Sequence, residues 1–239
     1  MITIAIVTFD SAAHLEPLFA SLPGALAGRA ARIVVFDNAS VDGTVARVRE
    51  LAPDAVVIES KTNVGYGAAL NRILAEFGST PYAICLNSDV TCPPGTIDAL
   101  VTLLENNRDV AVAGPAHLAR SFPDFWTVAC DQLLLNRLWR GNPVRRRFLR
   151  EDLAPLQVAD VDWVVGAILA VRTEALRQVG GFDTTYRMYW EEADLSLRLR
   201  ARGWRTSTAP AQVQHQDGGS SHAHRPLLDP HLWLSLIHI

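Results

Sequence analysis

The feature that most constrains this chain is a rhythm in its first 115 residues: an apolar run, a polar turn and an amphipathic stretch, repeated in that order. Ile2–Thr8 (ITIAIVT) is apolar almost throughout rather than alternating, the pattern of a parallel strand covered on both faces. His14–Leu22 then has helical character, with Asp10 or Ser11 as N-cap. Strands are expected at Arg32–Phe36, Ala55–Glu59, Tyr82–Leu86 and Val110–Ala113. Helices are expected between them at Thr44–Leu51, Gly65–Phe77 and Pro94–Asn106, the last with Pro near its first turn. This βαβαβαβαβ series predicts an α/β fold, a parallel sheet with helices on both faces.

The rhythm breaks at Pro115, and residues 116–158 carry many Arg with weak periodicity, as an inserted loop and short-helix region would. Order resumes with Val161–Val171, read as one strand bent at Gly166. A helix over Thr173–Val179 stops at Gly180-Gly181, and one over Trp190–Arg202 stops at Gly203. Short strands are expected at Arg205–Thr208 and Gln212–His215. The tail, residues 223–239, ends in HLWLSLIHI, fits no element, and is expected to be a truncated or non-native end.

Composition narrows the class. Of 239 residues, 49% are hydrophobic and 20% charged, as in a globular protein. A net charge of −3 provides no basic field for nucleic acid. The three cysteines, Cys85, Cys92 and Cys130, have no paired metal spacing and suit reduced thiols. The start MITIAIVTFD lacks a signal sequence's basic region and cleavage site, and the longest apolar stretch is far short of a membrane span. The expected location is cytoplasmic, with peripheral contact at a membrane's inner face.

Ligands of an open parallel sheet bind beyond the carboxyl ends of its strands. Here those ends carry Thr8-Phe9-Asp10, then Asp37-Asn38, then Asn63-Val64-Gly65-Tyr66-Gly67, then Asn87-Ser88-Asp89. Each alone is ordinary turn chemistry; four on one rim point to a polar ligand. Gly65-x-Gly67 is not a dinucleotide fingerprint, because Leu70 stands at the third glycine position. The Asn87-Ser88-Asp89 corner can offer oxygen ligands to a hard divalent cation carrying a diphosphate.

A second acidic cluster is Glu191-Glu192-Ala193-Asp194. Glu192, Leu195 and Leu199 share a helix face, so Glu192 is expected to point inward, where burial would raise its pKa and suit it to a base. Glu191, Asp194 and Arg198 share another face and are expected to form solvated pairs, with Glu191 favouring the helix dipole. His215 follows a short alternating segment and is a candidate metal or phosphate ligand. Arg137, Arg140, Arg145, Arg146, Arg147 and Arg150 form a run without acids, either a solvated loop or a contact for lipid head groups or a lipid-diphosphate acceptor.

Taken in order, IVTFDS, VVFDNASVDGT, NVGYGAALN, LNSDV, VDWVVGAILAVR, VGGFD, YWEEADLSLRLRARGW and HQDGGS resemble family 2 glycosyltransferases of the rhamnosyltransferase-like branch. The resemblance runs from Ile2 to about Ser221 apart from the Arg-rich insertion. It implies a GT-A (Rossmann-like) fold, a mostly parallel sheet with helices on both faces plus a C-terminal acceptor-side region. The parts would be a nucleotide-sugar-binding half (1–115), the insertion (116–158) and an acceptor and catalytic half of the same domain (159–222).

It also implies inverting transfer of a sugar, dTDP-rhamnose or a UDP-sugar being the donor, to a glycan or lipid-linked acceptor in cell-surface polysaccharide synthesis. Thr8, Phe9, Asp10, Asp37 and Asn38 would line the nucleoside pocket, and Asn63, Gly65, Tyr66, Gly67 and Asn71 would flank the nucleotide and sugar. Asp89, beside Asn87 and Ser88, would bind Mg²⁺ or Mn²⁺ with His215. Trp163, Gly166, Ala167, Trp190 and Glu191 would sit near sugar and acceptor. Glu192 would be the base, with Asp194 the alternative, although the family's base is usually the shorter Asp. Two other readings are a sugar nucleotidyltransferase and a nucleotide-sugar-binding module without turnover. The first wants a Gly-rich basic loop after the first strand, and residues 9–22 contain no Gly, Lys or Arg.

Overall fold

The computed structural model describes residues 1–122, 124, 126 and 142–215. Cys130, Arg137, Arg140, the HQDGGS segment beyond His215 and the tail lie outside them.

Eight strands of the described residues form one sheet in the order β3-β2-β1-β4-β10-β6-β11-β8. They are β1 (Ile2–Thr8), β2 (Ala31–Asp37), β3 (Val56–Glu59), β4 (Tyr82–Asn87), β6 (Val110–Pro115), β8 (Asp160–Val161), β10 (Ile168–Arg172) and β11 (Arg205–Ala209). All seven residues of β1, at the sheet's centre, are buried, which is why its run is unbroken by polar alternation. The pairs β3–β2, β2–β1, β1–β4 and β6–β11 are parallel. Helices α1 (Leu15–Leu26), α2 (Thr44–Leu51) and α4 (Thr96–Asn106) pack as one group, while α3 (Tyr66–Phe77) lies against β1 and β2.

One expectation fails in an informative way. Val161–Val171 is not a single strand but three: β8, then β9 (Trp163–Val164), then β10. The break at residues 165–167 turns the chain, so β10 runs antiparallel between β4 and β6. The sheet is therefore mostly parallel, as the family resemblance implies. Because Ile168 pairs with Leu86, β10 begins at the carboxyl end of β4, and Gly166-Ala167 lies on the ligand rim.

Two small ladders complete the rim. β5 (Val90–Thr91) pairs with β12 (Gln214–His215), and β7 (Ala119–Arg120) with β9. Helices α5 (Pro143–Phe148), α6 (Thr173–Gln178) and α7 (Glu191–Ala201) follow in the second half. The arginines of α5 and just after it find acids outside their own run: Arg146 pairs with Glu151 at 3.2 Å, Arg147 with Asp124 at 2.7 Å, and Arg150 with Asp152 at 3.0 Å.

Candidate active site

Sheet register sets the first wall. Thr8 stands opposite Asp37, and Val7 opposite Asn87, so the ends of β1, β2 and β4 lie side by side. Asp37 is buried and accepts bonds from the Thr8 hydroxyl (3.0 Å), the Ser40 amide (2.9 Å) and the Ser40 hydroxyl (2.5 Å). Asn38 bridges to the next loop: its carbonyl accepts from the Val64 amide at 3.0 Å and its amide donates to Gly65 O at 3.4 Å. Asn63 accepts from the Gly65 amide at 2.9 Å. Asp10, which follows Phe9, sits at φ 46°. Its amide donates to the Ser40 hydroxyl at 2.9 Å, and its carboxylate accepts from Val41 N at 2.8 Å. Small acidic residues tolerate that left-handed conformation.

These side chains cross-brace the loops that the sequence places on the rim. Asn71 braces deeper, holding the Phe182 amide at 2.8 Å and the Phe182 carbonyl at 2.7 Å with its two ends. Gly67 also packs on Phe182, leaving 3.0 Å between its Cβ position and the Phe182 Cβ.

The acidic corner follows β4. The Asn87 amide donates to Ala167 O at 3.0 Å, tying the corner to the Gly166-Ala167 turn. The buried Ser88 hydroxyl donates to Ser11 Oγ at 2.9 Å. Asp89 is buried, and the β5–β12 ladder brings His215 to it, with Nε2 3.2 Å from Asp89 Oδ1. A carboxylate and an imidazole suit Mg²⁺ or Mn²⁺ when diphosphate oxygens and water supply the other positions. Among the described residues no group of three or more His, Cys, Asp or Glu could form a closed protein cage.

The opposite wall is the first turn of α7. Glu192 is buried, as its helical face requires, and Oε1 accepts from Gly166 N at 3.0 Å. Glu191 is buried as well, so its expected solvated position is overturned. The first turn of α7 is enclosed on several faces, and a single-stripe reading of the helix misses this. Burial pushes both carboxyls up, and the charge of Glu192 adds to the shift of Glu191. The Gly166 amide and Arg120 of β7 act the other way on Glu192. One oxygen of each, Oε2, is buried without a hydrogen-bond partner. Asp194 instead pairs with Arg198 at 2.7 Å, and Arg198 also donates to Val179 O and Gly181 O, both at 2.8 Å.

Tyr66 links the walls. The side chain is half-buried, its hydroxyl donates to Gly166 O at 3.0 Å, and desolvation pushes the phenol well up, with Cys85, Glu191, Glu192 and Asp89 all contributing. Beside them Trp163 packs at a tilt on Trp190, ring centroids 5.7 Å apart, and on Phe148 of α5 at 6.4 Å. Tyr189 and Trp190 lead into α7 with φ values of 69° and 71°. Backbone held in that region is strained, and such strain gathers at functional sites. Neither this strain nor the approach of Arg120 to Glu192 carries a sequence signal. Ser11 had one, as a candidate N-cap.

Residues 3–162 match the family model described as Glycosyl transferase family 2. The N-acetylglucosaminyl-diphospho-decaprenol L-rhamnosyltransferase of Mycobacterium tuberculosis (strain CDC 1551 / Oshkosh) is 32% identical over 235 residues, spanning 90% of this chain and 76% of that protein. Two solved structures share the fold. The mannosyltransferase PcManGT from Pyrobaculum calidifontis, in complex with GDP-Man and Mn²⁺, has a TM-score of 0.60 at 20% identity, over 87% of this chain and 54% of that one. GalNAc-T7 with UDP, GalNAc and Mn²⁺ has a TM-score of 0.66 at 15% identity, over 90% and 43% respectively.

Proposed function

The chain belongs to glycosyl transferase family 2 and has the GT-A fold. From that premise we propose that it transfers a deoxyhexose of the rhamnose type from a nucleoside diphosphate to a hydroxyl of a lipid-linked or glycan acceptor, with inversion. The observation that carries this reading is Glu192: buried, held by one oxygen, with the other oxygen unpartnered beside the rim.

In the proposed reaction Glu192 Oε2 takes the acceptor hydroxyl proton. The freed oxygen pair bonds to the anomeric carbon. The bond from that carbon to the diphosphate breaks, and its electrons leave with the nucleoside diphosphate. Thr8, Asp37 and Asn38 form the nucleoside end, and Asp89 and His215 would hold the divalent ion. When bound there, Mg²⁺ or Mn²⁺ supplies neutralising charge to the leaving diphosphate. Trp163 and Trp190 provide an apolar wall for a sugar face. Rhamnose is favoured by the 32% identical mycobacterial rhamnosyltransferase, whose acceptor is lipid-linked.

The acceptor side also includes a hollow of about 430 Å³ lined by Ser121, Pro143, Arg146, Arg147, Arg150, Glu151 and Asp152. Phe148, on the same helix, reaches the Trp163 stack, so this hollow borders the site. The proposed contact with a lipid diphosphate or membrane surface lies there. No described helix is long and apolar enough to cross a membrane.

A thermal-shift panel tests the donor side. With Mn²⁺ present, dTDP or UDP at ten times its Kd should stabilise the protein by about 1.4 kcal/mol. The shift should shrink without Mn²⁺ and in Asp89→Ala. An equal shift in Asp89→Ala would remove Asp89 from the metal role.

A further inference from the structure

The two oxygens of Glu192 are not equivalent. Oε1 accepts the Gly166 N–H at 3.0 Å, while Oε2 is buried and unpartnered. Gly166 is held from its other side too, because its carbonyl accepts from the Tyr66 hydroxyl at 3.0 Å. Tyr66 comes from the start of α3, 100 residues away in sequence. Its own amide donates to Arg187 O at 3.2 Å, in the segment that leads into α7. Burial holds its phenol well above the usual range, so it stays a donor throughout the working pH range. The absence of a side chain at residue 166 matters as well: a Cβ there would lie 3.4 Å from Oε1 and 3.7 Å from the Tyr66 Cε1.

We propose that Tyr66 is a positioning residue for the base: through Gly166 it anchors Oε1 of Glu192 and so leaves Oε2 as the oxygen that receives the acceptor proton. This rests on Glu192 being the base. Among the described residues, the charged and titratable groups facing Glu192 are Glu191 on its own helix, Arg120 from β7 and Tyr66 from α3. The Gly166 amide and Arg120 favour the carboxylate, and burial favours the acid. Loosening Gly166 therefore shifts the balance toward the acid, and the base needs a higher pH to ionise.

The test is the pH dependence of kcat for Tyr66→Phe, with Glu192→Gln run beside it. Tyr66→Phe removes one neutral hydrogen bond, so kcat at neutral pH should fall by roughly 5- to 10-fold. The acid limb of the profile should move to higher pH, with activity recovering as pH rises. A purely structural loss would lower kcat by one factor at every pH. A Tyr66→Phe profile with an unmoved limb overturns the relay, provided Glu192→Gln is inactive. An active Glu192→Gln overturns the base assignment itself, and the relay with it. If Tyr66→Phe does not fold, Gly166→Ala, which keeps the phenol and crowds Oε1, must give the same upward shift; an unmoved limb there is equally decisive against the relay.

Discussion

Replacing Gly65 by Ala probes the joint between the start of α3 and the segment that leads into α7. Gly65 has φ 89° and ψ 167°, a region essentially reserved for glycine. Holding Ala there costs about 1–3 kcal/mol. The new Cβ would lie 2.6 Å from the Arg187 carbonyl oxygen and 3.3 Å from its Cα, and these are backbone atoms that no rotamer change can move. Overpacking of that kind adds about 1–3 kcal/mol. The sum, about 2–6 kcal/mol, corresponds to a fall in Tm of at least about 4 °C for a domain of this size. Gly43→Ala is the control, since Gly43 has φ 87° but nothing within 4 Å of its Cβ position. It should lose only the conformational part, about 1–2 kcal/mol. Calorimetric melting of both variants at one protein concentration separates the two effects. If Gly65→Ala melts no lower than Gly43→Ala, the close approach of Arg187 to the start of α3 is wrong.

Burial keeps the Glu191 carboxyl protonated above its ordinary 4.5, and this carries a sign. The unfolded chain ionises first as pH rises, so stability is full below about 4.5 and is lost as pH climbs through the folded value. Glu191→Gln should therefore raise Tm at pH 8, with the gain fading toward pH 5; a constant difference across that range would refute the burial argument. Asp194→Asn should lower stability by about 1–3 kcal/mol through its lost pair with Arg198, seen as an earlier denaturant midpoint. Its turnover should remain within tenfold of the wild type, and a loss as deep as that of Glu192→Gln would make Asp194 the base.

The legible parts of the fold were those fixed by local pattern. β1, buried along its whole length, matches its expected span, and Thr44–Leu51 is a helix over the span expected of it. The direction of β10 was not legible. An apolar run looks the same whether it continues or turns back, and only the pairing of Ile168 with Leu86 distinguishes the two. In the site, Glu192 was readable as inward-facing from Leu195 and Leu199. The burial of Glu191 was not, because it depends on what covers α7 rather than on the helix itself. The link from Tyr66 through Gly166 joins residues too distant in sequence for any spacing rule.

The central claim is that a buried carboxylate on α7 does chemistry that the nucleotide-binding rim does not. Paired measurements on Glu192→Gln, the Kd of the nucleoside diphosphate with Mn²⁺ and the turnover of the nucleotide sugar with acceptor, test it most directly. The account predicts a Kd within a fewfold of wild type and turnover lower by about 10²–10⁴-fold. Turnover equal to wild type, or affinity lost in step with it, would contradict the account.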